Sequence, residues 1–474
     1  MRGRVAVMAG AAVAALAVAG ALPEPAAAHG LVGRADLPIP AWLFGWAAAA
    51  VLVISFVALA LLWPRPRLES APRRRLVPLG PWADVVLGAL GIGAFGLTVW
   101  AGLSGTQVPT ANLAPTVVYV LFWIGVPFAS LLFGDVFRLL SPWRALARAF
   151  AWAAGRLAPG GLPAPLPYPR RLGRWPAAAG LLAFAWVELV YTGKADPGTV
   201  AALALAYAAI QLVAMSVWGI EPWSREGDPF GVYFGLFARV SVFERRDGWL
   251  LARPPLSGLP GLDVTPGTLA MLVVMIGSTT FDGLSQGPLW TDVAPDLQRY
   301  ARDGLGAGFN AANEVAYTLG LVVCIALVAA IYAIGVAGMR TVADDVPHRH
   351  LALRFAHTLV PIALAYVIAH YFSLLAYQGQ AVAFLISDPR GDGSNWLGTA
   401  DASIDYGVVG ATGVWYVQVA ALVLGHVAAL TLAHDRALSV FRSATAATRS
   451  QYWMLIVMIG FTSLGLWLLS AANL

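Results

Sequence analysis

The sequence predicts an all-α fold: a polytopic transmembrane helix bundle of about ten spans that follows a cleavable signal peptide. Three observations predict it. Of the 474 residues, 59% are hydrophobic and 12% charged, whereas a globular domain carries about a quarter charged residues. Apolar runs close to the ~20 residues needed to cross a bilayer recur along the chain. The basic residues gather in alternate loops between those runs, the distribution that sets membrane topology.

Residues 1–28 read as the signal. Arg2 and Arg4 precede the apolar core "VAVMAGAAVAALAVAGAL", and Ala26 and Ala28 supply an A-x-A site with the cut after Ala28. An uncleaved anchor is the alternative, because the core is long and Ala-rich. Cleavage would make His29 the first residue. Its free amine and imidazole can then chelate one metal together, and imidazole suits copper, zinc and nickel.

The spans follow near 41–63, 84–103, 116–135, 175–192, 199–219, 265–282, 312–336, 356–378, 409–433 and 451–471. With the mature N-terminus outside, 23 of the 30 basic residues fall in inner loops and five in outer ones. That bias places the chain in the cell membrane, with the start of residues 29–474 extracytoplasmic. These residues read as one transmembrane domain, since no polar stretch is long enough for a second. The formal charge of +5 then reflects topology rather than a nucleic-acid partner. The expected partners are the lipid bilayer and a small-molecule or ion substrate.

Two inner loops carry helical grammar. "SPWRALARAFAWAAGRL" (141–157) starts with Ser141 as N-cap and Pro142 in the first turn. "DPFGVYFGLFARV" (228–240) repeats this with Asp228 and Pro229. Both are expected to lie flat at the membrane interface. The single cysteine, Cys324, rules out a disulfide framework or Cys-based zinc site within the chain.

Ionisable residues inside spans are costly and mark function by default. Glu188, Asp282, Glu314 and His370 all fall in the outer halves of their spans. Asn310, Asn313, Glu314 and Tyr317 recur at i, i+3, i+4 and i+7, one polar helix face. His370 and Tyr371 sit in "AYVIAHYFSLLAYQGQ", which ends in Gln378 and Gln380, and Trp415 opens a further polar face. Lipid offers such groups no partners, so they should meet in a shared cavity opening outward. The competing account is a set of separate interhelical hydrogen bonds that hold the bundle together.

Two functions fit that cavity. In the first, His29, Asp282, Glu314 and His370 hold a divalent metal, zinc or copper, which activates water for hydrolysis. Glu188, Asp282, Glu314 and His370 are then the catalytic groups, with Asn310, Asn313, Tyr317, Tyr371, Gln378 and Trp415 lining the substrate site. No H-E-x-x-H or G-x-S-x-G signature accompanies them. In the second, the same carboxylates and histidine serve a transporter or a copper-handling protein. A haem clamp is disfavoured, because His357 and His370 do not share a helix face.

Four strings carry a resemblance: "AHGLVGRADLPIPAWLFGWAAAAVLVISFVALALLWPRPRLE", "GDVFRLLSPWRALAR", "GSTTFDGLS" and "LVPIALAYVIAHYFSLLAYQGQ". They are similar to a group of actinobacterial multi-pass membrane proteins, several of which bear the label fenitrothion hydrolase. The resemblance covers essentially the whole chain. It implies hydrolysis of an organophosphorus-type ester, and it brings no agreed catalytic residues with it.

Overall fold

The computed structural model describes residues 41–157, 163–342, 348–441 and 443–471. The expected signal peptide and His29 lie outside them. The described chain is mostly helical, and eight of its helices are long and apolar enough to cross a membrane: Leu43–Leu62, Pro81–Ser104, Leu113–Phe133, Pro197–Trp218, Thr268–Ser285, Phe309–Arg340, Arg349–Leu385 and Ala411–Val440. The run expected at 175–192 forms a helix of only 15 residues, Trp175–Leu189. At 1.5 Å per residue it is about 22 Å long, short of a bilayer core of about 30 Å. Tyr452–Ala471 is helical where the last span was expected.

Prolines set many of the starts. Pro81, Pro142, Pro197, Pro229 and Pro288 each open a helix, where a missing N–H costs nothing because the first turn has no intrahelical acceptor for it. Asp228 adds a cap by accepting from the Phe230 N–H. The helix Leu113–Phe133 contains a wide π segment, Thr116–Gly125, whose last bond runs from the Val126 N–H to the Leu121 carbonyl. Pro127 follows at once. It has no N–H to give in either register, so the run stops there.

Burial separates centre from rim. In Thr268–Ser285, 72% of the apolar window is buried, against 17% in Leu43–Leu62. The first is therefore the axis of the bundle, and the second shows apolar side chains such as Trp46 and Ile54 outward. Small residues let the axis and its neighbours close up. A Cβ on Gly277 would stand 2.7 Å from the Ile325 backbone, and one on Gly425 would stand 2.3 Å from the Ala365 side chain. These contacts join the axis to Phe309–Arg340 and join Leu359–Gln378 to Ala411–Val440, the close approach that small residues allow in membrane bundles.

The stretch 228–240 departs from expectation. Its helix, Pro229–Ala238, does not lie on a surface: Phe230, Val232, Tyr233, Phe234, Leu236 and Phe237 are all buried. A helix that is apolar on every side belongs in a core. Phe234 packs edge-on to Phe122 and Phe137, and Tyr233 stacks on Trp123.

At the arginine-rich end the chain makes a small antiparallel sheet of β1 (Arg74–Pro78), β2 (Phe243–Arg246) and β3 (Trp249–Ala252), in the order β1-β3-β2. Asp247 and Gly248 close the β2–β3 hairpin with φ of 52° and 76°. That is the geometry of the Asp-Gly hairpin turn. β1 pairs Arg74 with Ala252 and Pro78 with Trp249, with an irregularity between Arg75 and Val77 that takes up one residue.

Beside the sheet lies an ionic network. Asp84 accepts from Arg144 at 3.2 Å, Arg148 at 3.0 Å and Arg245 at 2.7 Å. Glu221 accepts from Arg144, Arg148 and Arg138 at 2.7, 2.9 and 2.8 Å. Arg144 is the hub, with 6% of its side chain exposed. Without Asp84, Arg144 and Arg148 keep Glu221 while Arg245 loses its carboxylate, and a hydrogen bond to a charged group contributes about 1.5–3 kcal/mol. Asp84→Asn should therefore lower unfolding stability in detergent by about 1.5–3 kcal/mol, read by denaturant titration; an unchanged midpoint would contradict the network's role.

Glu221 adds a pH dependence. Burial raises its pKa, but Arg144, Arg138 and Arg148 together outweigh burial and hold it below the ordinary 4.5. A carboxylate depressed on folding stabilises the fold above its unfolded pKa and loses that contribution as pH falls through the lower folded value. Thermal stability should thus decline below about pH 4.5, and Glu221→Gln should flatten that part of the profile.

Candidate functional site

The axis helix Thr268–Ser285 and the helix Leu359–Gln378 meet at Asp282. His370 Nε2 lies 2.9 Å from Asp282 Oδ2, and the Tyr371 hydroxyl donates to the same oxygen at 2.6 Å. A carboxylate oxygen only accepts, so Nε2 carries the hydrogen of this bond; in the neutral ring Nδ1 then holds the lone pair, and in the charged ring it carries a second hydrogen. No hydrogen-bond partner for Nδ1 occurs among the described residues. Gly283 leaves room beside it, since a Cβ built there would stand 3.8 Å from Nδ1. The side chains of His370 and Asp282 keep 20% and 13% of their surface open. The triplet is therefore a hydrogen-bonded dyad with a tyrosine donor and one ring nitrogen that has no partner among the described residues.

Glu188 and Lys194 stand within electrostatic reach of Asp282. Glu188 is half-buried and makes no hydrogen bond among the described residues. Tyr119 and Tyr233 are within electrostatic reach of Glu188. The Tyr119 hydroxyl donates to the Lys194 carbonyl at 2.8 Å, which ties the π segment to the loop behind Glu188. Two carboxylates, an imidazole and an ammonium thus share one region at one end of the axis helix.

The other expected groups are placed elsewhere. Glu314 Oε1 accepts from the Thr192 N–H at 3.1 Å and the Thr192 hydroxyl at 2.8 Å. It holds the 190s loop and makes no hydrogen bond with Asp282 or His370. Asn313 accepts from Gln298, and Asn310 is exposed. Tyr317 packs against Phe281 and Trp290, an aromatic cluster next to Asp282 in sequence. Trp415 is buried edge-on to Phe44, and its indole N–H has no partner among the described residues. Gln378 is half-buried at its helix end. The polar face 310–317 thus exists as expected but serves the 190s loop and the helix Pro288–Leu305.

Of the expected metal ligands, Asp282 and His370 meet and Glu314 is placed apart from them. Among the described residues no group of three or more His, Cys, Asp or Glu side chains is placed to hold a metal ion. Asp282 and His370 bond to each other, Glu314 is engaged by Thr192, and His29 lies outside the described residues. The described donors do not by themselves make up a metal centre.

Lys194 is a functional candidate that the span-by-span reading passed over, although it is the chain's single lysine among 30 basic residues. Its position in an otherwise arginine-built chain was the available signal. No protein-family model, curated protein or solved structure matches the chain.

The open nitrogen is directly testable. Gly283→Ala fits without a clash and replaces a helical glycine, so stability should hold or rise by up to about 1 kcal/mol. Its methyl would cover Nδ1. Carbethoxylation of His370, followed by mass spectrometry, should slow several-fold in Gly283→Ala; an equal rate would show that Nδ1 is not reached from that side.

Proposed function

We propose that this chain is a multi-pass protein of the cell membrane, with its mature N-terminus outside, that moves a small molecule or ion coupled to protons exchanged at Asp282, His370 and Glu188. The observation that supports this most is the shared use of Asp282 Oδ2 by His370 and Tyr371. Chains of Asp, Glu and His inside a membrane bundle serve as proton relays in pumps and transporters, and such a relay passes its proton on through an atom open to the next carrier. His370 Nδ1 is that atom. Glu188, with no hydrogen bond among the described residues, is the adjoining carboxylate, and Lys194 is the cation that offsets their combined charge.

A hydrolase uses the same atoms differently. In that reading His370 Nδ1 is the general base that takes a proton from water, and Asp282 orients the ring. The resemblance to proteins labelled fenitrothion hydrolase and the partial openness of His370 favour it. Ser278 and Thr279 are not nucleophiles in this arrangement, because both hydroxyls donate to the Met275 carbonyl.

One set of samples separates the two. The purified protein goes into proteoliposomes that hold a pH-sensitive dye, and the same preparation is assayed against a chromogenic phosphotriester. The transport reading expects proton flux under a pH gradient that falls at least tenfold in Asp282→Asn and His370→Gln, with no ester turnover. Turnover that falls in both variants, without flux, would replace transport by hydrolysis.

A further inference from the structure

The arginine-rich end of the bundle encloses a cavity of about 490 Å³. That is within the ~300–1,000 Å³ range of small-ligand sites. Nine arginines line it against four carboxylates, Asp135, Glu221, Asp228 and Glu244. The carboxylates are already engaged. Glu244 pairs with Arg73 and Arg253, and Glu221 with Arg138, Arg144 and Arg148. Asp228 accepts from the Trp143 indole at 2.8 Å and the Tyr207 hydroxyl at 2.5 Å. Asp135 accepts from the Arg138 backbone, and burial pushes its carboxyl above the ordinary value despite the nearby guanidiniums.

That leaves guanidinium groups with spare donors. Arg174 has 5% of its side chain exposed; its Nη1 donates to the Asp263 carbonyl and the Thr268 hydroxyl, and its Nη2 makes no hydrogen bond among the described residues. Its nearest carboxylate, Glu226, stands 3.5 Å away. Arg239 spends Nη1 on the carbonyls of Gly258 and Gly261, and its other nitrogens make no hydrogen bond among the described residues. Burial lowers the pKa of both groups, and the charge of Arg174 adds to this at Arg239. At the rim, Arg225 and Arg246 are 72% and 65% exposed and reach their carboxylates only at 3.5 and 3.6 Å. On the helix Pro229–Ala238, Gly231 and Gly235 line the cavity one turn apart. A Cβ on Gly235 would meet open space.

We propose that this cavity binds a phosphate-bearing anion, either a lipid headgroup or a soluble phosphate compound. Arg174 and Arg239 are the deep ligands, Arg225 and Arg246 the rim, and Gly235 leaves the space that the anion fills. Guanidinium groups match phosphate oxygens two donors at a time. An anion between Arg174 and Arg239 would relieve their repulsion and occupy donors that the protein leaves unpaired, which a purely structural arginine cluster would not do.

The test uses full-length protein in detergent and follows its melting temperature at constant ionic strength, with chloride as the balancing salt. The probes are inorganic phosphate and dioctanoyl phosphatidylglycerol. We expect a saturable rise with at least one of them. Its midpoint should move at least tenfold in Gly235→Val and in the double variant Arg225→Gln with Arg246→Gln. The double variant touches only exposed side chains, so it reports on binding even where the glycine variant folds poorly. A rise with phosphate assigns a soluble ligand, and a rise with the lipid alone assigns a headgroup. A flat response to both probes, a rise that chloride reproduces, or a double variant that binds like the wild type would overturn the site.

Discussion

A carboxylate in the core of an apolar bundle must find its donors inside the protein, and the arrangement of this chain follows from how Asp282 does so. Little solvent reaches the centre of such a bundle, and an unpaired charge there costs several kcal/mol. His370 and Tyr371 are consecutive, so a single helix brings two donors to one oxygen. That fixes the helix Leu359–Gln378 against the axis helix in both rotation and height. The glycines at 277 and 425 then let the next helices close on that pair. The apolar windows grow less buried from this centre to the rim helix Leu43–Leu62.

Charge is handled in another way at the opposite end. There the carboxylates are shared among several arginines, and a three-stranded sheet holds the loops that carry them. Arg73 beside β1 pairs with Glu244 of β2, and Arg245 reaches Asp84 at the start of the helix Pro81–Ser104. Shared pairing lowers the entropy needed per ion pair, because one ordered side chain serves several partners. Segments far apart in sequence are thereby locked into one platform. The axis helix connects it to the buried dyad: Arg174 donates to Thr268 in its first turn, and Asp282 follows 14 residues later, about 21 Å away along the helix.

How much of this was legible in the sequence differs by feature, for physical reasons. Periodicity and the cost of buried charge were enough to single out Asp282, His370 and Glu188, and the apolar runs gave the positions of most long helices. That His370 and Tyr371 both reach Asp282 depends on packing between segments 88 residues apart, which no local pattern encodes. Glu314 lay on the expected polar face, yet a face can serve a loop as well as a cavity, and Thr192 was the nearer donor. Pro229–Ala238 was expected at an interface because its Asp-Pro start repeats the Ser-Pro start of the loop at 141–157. The helix itself is apolar on every side, which is the signature of a buried element. The Asp-Gly pair in "FERRDGWLLA" carried the signal for the hairpin, hidden among arginines that read as a topology marker.

The helix Pro229–Ala238 gives the two charged regions a common element. Gly231 and Gly235 line the arginine cavity, while Tyr233 on the same helix stacks on Trp123 of the π segment and stands within electrostatic reach of Glu188. An occupant of the cavity would therefore touch one side of this short helix, and a change of charge at Glu188 would act on the other. Coupling between two binding sites is reciprocal by thermodynamic necessity. If the helix shifts with either event, the anion and the proton must alter each other's affinity by the same factor.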